Sequence, residues 1–439
     1  MLEMPKPPPP AWLGGAQRAV PVDVERLRAQ VRFDVAAKRA EVRASMEFRV
    51  DGPDGLPAFD LRQEVGRAVL DGQDLAVDAL AHRDLGAGHD ARMRVLDVVC
   101  TEGSRHRLDL TYELGAPDAT GAQPIAWRDG GPAGSGVRWD LWMSDLEPGR
   151  YLEMWLPVGL CHDSLELALE VEVTGTDVGH TLLANGAVGE REGAGTGAGS
   201  WAVRYPAQYT SLSPLLVLVP SDEVELRRGP ACGTKPSRVT VGALAGSDLD
   251  PDAALADATA WLSYFSARYG TWAHGDELLV LLWPAPRGME YDGATTASPA
   301  ALEHEIFHSW FGRGVKPASA RDGWIDEAMA TWATSSAAAG GIGRFSTEEL
   351  GLDEPPVQLC PEHPWARHTP RAAYPAGARL LGGVARMIGG AGAMRAALAD
   401  WHHRYGGSTA TSQDLCAHLS SWCGRDLGPW WDRYVYGEG

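Results

Sequence analysis

Two kinds of hydrophobic pattern divide the chain and predict different architectures for its two halves. In the first half, hydrophobic and polar residues alternate in short stretches that turn clusters separate, most clearly over residues 42–50, 108–114 and 165–173. A period of two with one polar face is typical of antiparallel sheets that are packed on one side and wet on the other. Residues 1–221 are therefore predicted to form an antiparallel β-sandwich-like domain.

The second half has the spacing of helices. The dipeptide Asp250–Pro251 combines an N-cap residue with the proline that is favoured at the first helical position, and apolar residues at helical spacing lead to Gly270. An apolar run of strand length covers 278–283, and a further helical stretch covers 393–405. Residues 222–439 are therefore predicted to be mostly helical with a small sheet, which makes the chain an α+β multidomain protein.

Length, charge and cysteine content narrow the class of protein. A chain of 439 residues is long enough for two domains, and its net charge of −19 without a basic patch argues against a nucleic-acid partner. No apolar run is long enough to span a bilayer, and the N-terminus has no signal pattern, so we expect a cytoplasmic protein. The six cysteines form no C-x-x-C pair and are predicted to be mostly buried free thiols, with a Cys416–Cys423 bridge left open.

The five residues from His304 to His308, H-E-I-F-H, carry the strongest chemical signal in the chain. In a helix, residues four apart lie on one face, so the two imidazoles can bind one cation between them. Zn²⁺ accepts such a pair and needs a third protein ligand and a water in a catalytic site. Glu305 lies beside that face and is placed to accept a proton from the water. The motif is short, and a helix that merely carries two histidines explains it equally well.

The following residues decide between these interpretations. His308 begins H-S-W-F-G, and eighteen further residues separate His308 from Glu327, which lies in the sequence W-I-D-E-A. Here the chain resembles the gluzincin aminopeptidases, the family of aminopeptidase N, which has H-E-x-x-H-x-W-F-G and a glutamate after the same gap. The resemblance implies that His304, His308 and Glu327 bind one zinc ion per chain and that Glu305 is the general base. Two neutral imidazoles and one carboxylate would leave that ion with net positive charge and an open position.

Two further segments resemble the family's substrate-binding residues. Gly288, Met289 and Glu290 match the G-x-M-E-N motif, whose backbone pairs with the substrate peptide as an added strand and whose glutamate binds the α-ammonium. The alternative for Glu290 is an ordinary glutamate at a strand end. In the first domain, Glu147 matches a segment whose glutamate joins in binding the ammonium. The alternative there is a glutamate in a surface turn.

Tyr374 is the remaining candidate. It begins Y-P-A-G-A, which resembles the family's Y-E-K-G-A segment, and that resemblance implies that its hydroxyl donates to the developing oxyanion. A phenol aimed at that oxygen stabilises the tetrahedral intermediate more than the substrate. The alternative is an aromatic residue at the start of a helix.

The resemblance implies an N-terminal β-sandwich-like domain followed by a thermolysin-like, mostly helical catalytic domain, in a short form without the family's large helical C-terminal domain. The expected function is a zinc aminopeptidase that hydrolyses peptide bonds at the free N-terminus. One alternative is a zinc-dependent tailoring or processing hydrolase for a small amide or a leader peptide. The other, a non-enzymatic scaffold, ranks last because all three ligands and the base are present. Side-chain preference and oligomeric state are left open.

Overall fold

A computed structural model describes residues 7–115, 125–130, 134–141, 143–144, 146–147, 149–160, 162–192, 198–229, 236–285, 288–334 and 355–438. Internal contacts divide these residues into two compact units. The N-terminal unit comprises the residues up to Val224 together with His363–Arg367. The C-terminal unit comprises residues 225–362 and the chain after Arg367.

The N-terminal unit is built from strands. In chain order they are β1 (Ala11–Gly14), β2 (Gln17–Asp34), β3 (Arg39–Val50), β4 (Leu56–Phe59), β5 (Val65–Leu70), β6 (Gln73–Leu75), β7 (His82–Asp84), β8 (Arg92–Val95), β9 (Arg105–Glu113), β10 (Ile125–Arg128), β11 (Gly136–Asp140), β12 (Glu166–Thr174), β13 (His180–Ala184), β14 (Ala187–Glu192), β15 (Gly199–Arg204) and β16 (Leu216–Pro220). One sheet has the order β14-β15-β12-β2-β3-β9-β5-β6, with β1, β4, β7 and β8 attached beside this path. A second sheet has the order β10-β11-β16-β13.

The three alternating stretches are confirmed as strands β3, β9 and β12. In β3, for example, Val42, Ala44 and Met46 are buried, while the residues between them are at least partly exposed. The expectation of a purely antiparallel arrangement was wrong at β2, which pairs in parallel with both β12 and β4. The long chain segment between β2 and β12 makes this possible, because parallel neighbours need a crossover connection rather than a tight turn.

The C-terminal unit combines a small sheet with helices. Its strands are β17 (Val224–Arg228), β18 (Arg238–Leu244), β19 (Glu277–Leu282), β20 (Gly288–Tyr291), β21 (Ala294–Ala297), β22 (Val315–Pro317) and β23 (Ser408–Ala410). Its helices are α1 (Pro251–Tyr269), α2 (Leu302–Phe307), α3 (Trp324–Ala333), α4 (Pro375–Met387), α5 (Ala391–Tyr405), α6 (Ser412–Cys423) and α7 (Gly428–Tyr434). The five-stranded sheet has the order β17-β18-β19-β21-β20, so β20 is an edge strand.

Helix α1 begins and ends where its sequence signals predicted. The Asp250 side chain accepts hydrogen bonds from the backbone N–H groups of Asp252 and Ala253, both at 3.0 Å, and so caps the first turn. Gly270 follows the last turn at a φ of 111°, a conformation that L side chains rarely adopt. The predicted strand at 278–283 and helix at 393–405 are likewise confirmed as β19 and α5.

The core of the C-terminal unit surrounds the segments that carry the candidate metal ligands. All ten residues of α3 are buried, and all six of α2. A helix that is enclosed on every side is held by its neighbours rather than by one apolar face, so side chains on α2 and α3 are fixed by packing. Among the described residues, no helix is long and apolar enough to cross a membrane. The four cysteines that are described are free, which leaves Cys416 and Cys423 unbridged.

Candidate active site and metal centre

The two candidate histidine ligands lie on the short helix α2 and at its end. His304 is in the helix, and His308 is the C-cap residue with a helical φ of −55° and ψ of −21°. Their ring centroids are 4.7 Å apart, and their side chains are 3% and 0% exposed. One helical turn therefore places both imidazoles on the same side of the helix, inside the protein.

Glu327 on α3 approaches both imidazoles. Its Oε2 lies 3.1 Å from Nε2 of His304 and 3.7 Å from Nε2 of His308, and one ligand atom from each of the three residues lies within 4.8 Å of the others. Nε2 of His308 is buried and makes no hydrogen bond to any residue that the structure describes. A buried polar nitrogen without a hydrogen bond costs free energy, and a cation bound by this nitrogen and the facing carboxylate would remove that cost. Two imidazoles and one carboxylate are a ligand set of catalytic Zn²⁺, so these residues fit that ion.

Two side chains that were not predicted from the sequence orient the imidazoles. Nδ1 of His308 is hydrogen-bonded to Oδ1 of Asp326, and Nδ1 of His304 lies 3.4 Å from Oγ1 of Thr334. Gly312 makes room for the first contact, because a Cβ on Gly312 would overlap the Asp326 carboxylate. A partner on the far ring nitrogen fixes the tautomer and leaves Nε2 as the nitrogen for a metal. The signal for Asp326 was its position next to Glu327 on one helix.

Burial and neighbouring charges shift the pKa values of this group in opposite directions. Burial, together with His308, lowers the pKa of His304 to about 3. Burial also acts to lower the pKa of His308, but Asp326 and Glu290 outweigh it and raise that pKa well above its usual value. Burial raises the pKa of Glu327 to about 8, against the opposing effect of His308. Because these ligand atoms share protons among them, we expect a divalent cation to displace protons when it binds.

Strand β20 brings the predicted substrate-binding residues to α2. The Glu305 side chain lies directly against Gly288, where a Cβ would overlap the Glu305 carboxylate. Single ligand atoms of Glu290, Glu305 and His308 also lie within 4.8 Å of one another. Met289 is 3% exposed and packs into the unit. Glycine at 288 is therefore explained by the close approach of the candidate base to the strand.

Glu290 has a cationic partner that was not predicted from the sequence. Nη2 of Arg313 donates to Oε1 of Glu290 at 2.5 Å and lies 3.6 Å from Oδ2 of Asp326. Burial acts to raise the pKa of Glu290, but Arg313 and then His308 outweigh it and lower that pKa. Arg313 therefore holds Glu290 as a carboxylate within the protein.

Tyr374 joins the group from the start of α4. Its hydroxyl donates to Oε1 of Glu327 at 2.5 Å, and its ring stacks on that of His304 at a centroid distance of 6.3 Å. Eight of the nine candidate residues thus lie in the C-terminal unit. Glu147 lies in the N-terminal unit, where its half-exposed carboxylate accepts from Nη1 of Arg150 at 2.9 Å. The role of Glu147 in binding the ammonium stays a prediction.

Solved structures provide the comparison with known proteins, since no family model and no curated protein matches the sequence. An M1 zinc metallopeptidase variant from Deinococcus radiodurans has a TM-score of 0.63 at 18% identity over 95% of both chains, and a structure of it bound to a Tyr-Ser-Ala substrate gives the same values. A two-domain M1 zinc metallopeptidase variant bound to L-arginine has a TM-score of 0.59 at 19% identity over 92% of this chain and 91% of that one.

A longer relative in fold is aminopeptidase A of Legionella pneumophila in complex with aspartic acid. Its TM-score is 0.66 at 14% identity over 96% of this chain but 50% of that one. The mixed sheets and helices of this protein thus form the fold of the M1 zinc metallopeptidases. At these identities the likeness establishes the fold alone, and the chemistry has to be argued from the residues.

Proposed function

We propose that this protein is a zinc aminopeptidase, a metallopeptidase that removes residues from the free N-terminus of peptides. One zinc ion per chain would be held by His304, His308 and Glu327. The observation that carries the proposal is the convergence of these three buried donors around Nε2 of His308, which has no hydrogen bond to a described residue. The fold supports it, because its neighbours are zinc metallopeptidases and one of them was solved with a peptide substrate.

Each remaining residue of the group has a role in this proposal. When bound, Zn²⁺ would polarise the peptide carbonyl and lower the pKa of a water molecule. Glu305 accepts a proton from the attacking water and delivers it to the leaving amine as the C–N bond breaks. Tyr374 donates its hydroxyl hydrogen to the oxygen that gains charge in the tetrahedral intermediate, and that hydroxyl already lies within the group at 2.5 Å from Glu327.

Substrate binding is assigned to β20. As the edge strand of the five-stranded sheet, β20 can pair with an extended peptide through its backbone. Glu290 lies on the same strand and is the proposed acceptor for the peptide's α-ammonium. An ammonium that forms a charge-assisted hydrogen bond with a buried carboxylate positions the first peptide bond at Glu305.

The test is hydrolysis of fluorogenic aminoacyl amides by the full-length protein with and without a chelator. We expect hydrolysis that chelation abolishes and that added Zn²⁺ restores, with N-acetylated versions of the same amides cleaved far more slowly. Exposed His403 on α5 gives a matched control, since His403→Ala removes a histidine outside the group. Chelator-resistant hydrolysis would refute the metal mechanism, and equal cleavage of acetylated substrates would favour a tailoring hydrolase or an endopeptidase.

A further inference from the structure

We propose that Arg313 is a specificity-determining residue that weakens the site's preference for a free α-ammonium by neutralising Glu290 from within the protein. The inference rests on the proposed function and concerns the class of N-terminus that the site accepts. Its basis is an ion pair that occupies the carboxylate to which the ammonium is assigned.

The ion pair is short and shielded from water. Nη2 of Arg313 lies 2.5 Å from Oε1 of Glu290, and the two side chains are 2% and 3% exposed. Charges in such a place are screened little by solvent and act on each other more strongly than charges at a surface. Arg313 therefore compensates Glu290 before any ligand binds.

Both the backbone and the guanidinium of Arg313 are held in place beside the candidate metal ligands. Its N–H donates to the carbonyl oxygen of His308, the second candidate ligand, at 2.9 Å. The same Nη2 also lies 3.6 Å from Oδ2 of Asp326, whose other oxygen is hydrogen-bonded to His308. The nearby cation Lys316 has its own partner, Asp292 at 2.6 Å. The guanidinium of Arg313 thus lies between Glu290, the proposed substrate-binding carboxylate, and Asp326, which orients His308.

A carboxylate that is already paired with one cation attracts a second cation more weakly. An α-ammonium at Glu290 is attracted by the carboxylate and repelled by the neighbouring guanidinium, whereas a ligand without an amine leaves the Glu290–Arg313 pair intact. The cost of losing the amine is therefore smaller than it would be at an unpaired Glu290. The site should accept substrates with a neutral or absent N-terminal amine better than the same site without Arg313.

The competing explanation predicts the opposite result. If Arg313 serves only to orient Glu290 as an acceptor, its removal lets Glu290 turn away or become protonated. The ammonium then loses its partner, and the preference for a free amine falls. The sign of the change in preference therefore separates neutralisation from orientation.

The experiment uses two ligands that differ only in the amine, L-leucine hydroxamate and 4-methylpentanohydroxamate, because the hydroxamate anchors both to zinc. Dissociation constants are measured by calorimetry on the zinc-loaded full chain at about pH 6.5, where an α-amine is mostly protonated. The quantity compared is the dissociation constant of the amine-free ligand divided by that of the amine. The variants are Arg313→Gln and the charge-conserving Arg313→Lys, each checked for zinc content.

We expect the ratio to rise about tenfold or more in Arg313→Gln, the low end of coupling between close charges, and to stay within about threefold of wild type in Arg313→Lys. An unchanged or lower ratio in zinc-loaded Arg313→Gln would overturn the inference. The measurement needs no turnover. A refuted role of Arg313 thus leaves the proposed hydrolase intact, whereas a wild-type chain that binds no zinc refutes the proposed function itself.

Discussion

The N-terminal unit and the C-terminal unit each bury a group of charged side chains, and the two groups balance their charge in opposite ways. In the N-terminal unit, Oδ2 of Asp60 accepts from Nε of Arg62 at 2.8 Å and from Nη1 of Arg367 at 2.6 Å. Glu153 lies in the same group, with Oε1 3.8 Å from Nη1 of Arg367. Arg94, also buried, donates to three backbone carbonyl oxygens. The N-terminal group therefore supplies its own cations.

The pKa values show how that charge is distributed. Burial acts to raise the pKa of Asp60, but Arg367, His82 and Arg62 outweigh it and lower that pKa. Burial raises the pKa of Glu153 to about 7, because the opposing effect of the more distant Arg367 is too small. Arg367 thus stabilises the charge of Asp60, the closer carboxylate, and Glu153 keeps its proton to a higher pH.

The group in the C-terminal unit has the reverse balance. Its cations are the guanidinium of Arg313 and the imidazole of His308, whose pKa is raised. Four buried carboxyl groups outnumber them, those of Glu290, Glu305, Asp326 and Glu327. Nε2 of His308 remains without a hydrogen bond to a described residue. A buried charge costs free energy unless partners within the protein match it, and buried carboxyl groups in excess of protein cations are suited to bind a cation from outside. We therefore interpret the N-terminal group as structural and the C-terminal group as a candidate functional site.

The largest effect is expected when the candidate base is altered without altering the metal ligands. Glu305→Gln keeps the shape of the side chain but cannot accept a proton from water, so hydrolysis should fall by about two to four orders of magnitude. Zinc content should stay at the wild-type level, and both quantities are measured on the same preparation. Wild-type turnover by a zinc-loaded variant would falsify the assignment of the base.

Substitutions in the N-terminal group around Asp60 should change the stability of the protein rather than its activity. Arg367→Met leaves Asp60 buried without its closest cation, so we expect a loss of about 3–5 kcal/mol in the free energy of unfolding. Urea denaturation measures it. Arg39→Met is the matched control, because Arg39 pairs with Glu113 at the surface with side chains that are 64% and 63% exposed, and its loss should cost less than about 1 kcal/mol. Similar losses in both variants would contradict the interpretation.

The same group predicts a pH dependence with a definite sign. The pKa of Glu153 is about 7 in the folded protein and about 4.3 in an unfolded chain. Between these two pH values Glu153 holds a proton in the folded state but not in the unfolded chain. The contribution of Glu153 to the free energy of unfolding is therefore complete below about pH 4 and is lost as the pH rises through about 7. The total is on the order of 4 kcal/mol.

Glu153→Gln should remove this decline, because an amide does not titrate. The measurement is the unfolding free energy of wild type and variant at several pH values from about 4 to 8, plotted as a difference. A difference that falls with pH supports the assignment, whereas parallel profiles would show that Glu153 titrates alike in both states.

The smallest effect concerns the residue that orients a candidate ligand. Asp326→Asn can keep a hydrogen bond to Nδ1 of His308 but removes the charge, so zinc affinity should fall about 10- to 100-fold. Competition with a fluorescent chelator measures the dissociation constant. Asp252→Asn at the exposed start of α1 is the control and should leave the affinity unchanged. An unaltered affinity in Asp326→Asn would show that the charge of Asp326 has no influence on the metal.

The features that could be predicted from the sequence are those that depend on neighbouring residues. Alternation within β3 and the capping residues of α1 act over a few neighbouring positions, so each could be identified without knowledge of the fold. The spacing of His304 and His308 is of the same kind, because one helical turn determines which side chains share a face. The gap to Glu327 is longer, and its meaning came from resemblance to a family.

The features that were missed depend on packing between distant segments. The parallel pairing of β2 with β12 joins strands more than a hundred residues apart, and no local pattern encodes it. Arg313 meets Glu290 only because β20 lies beside the loop after α2, and Asp326 meets His308 only because α3 packs against α2. Residue type suggested neither contact, since an arginine or an aspartate beside a motif is usually solvated.

The zinc content of protein purified without chelator shows whether His304, His308 and Glu327 hold a zinc ion. We expect about one zinc ion per chain in the wild type, about none in His304→Ala, and the wild-type value in His403→Ala, which alters an exposed histidine on α5. Wild-type protein without zinc, or His304→Ala with an undiminished zinc content, would contradict this expectation.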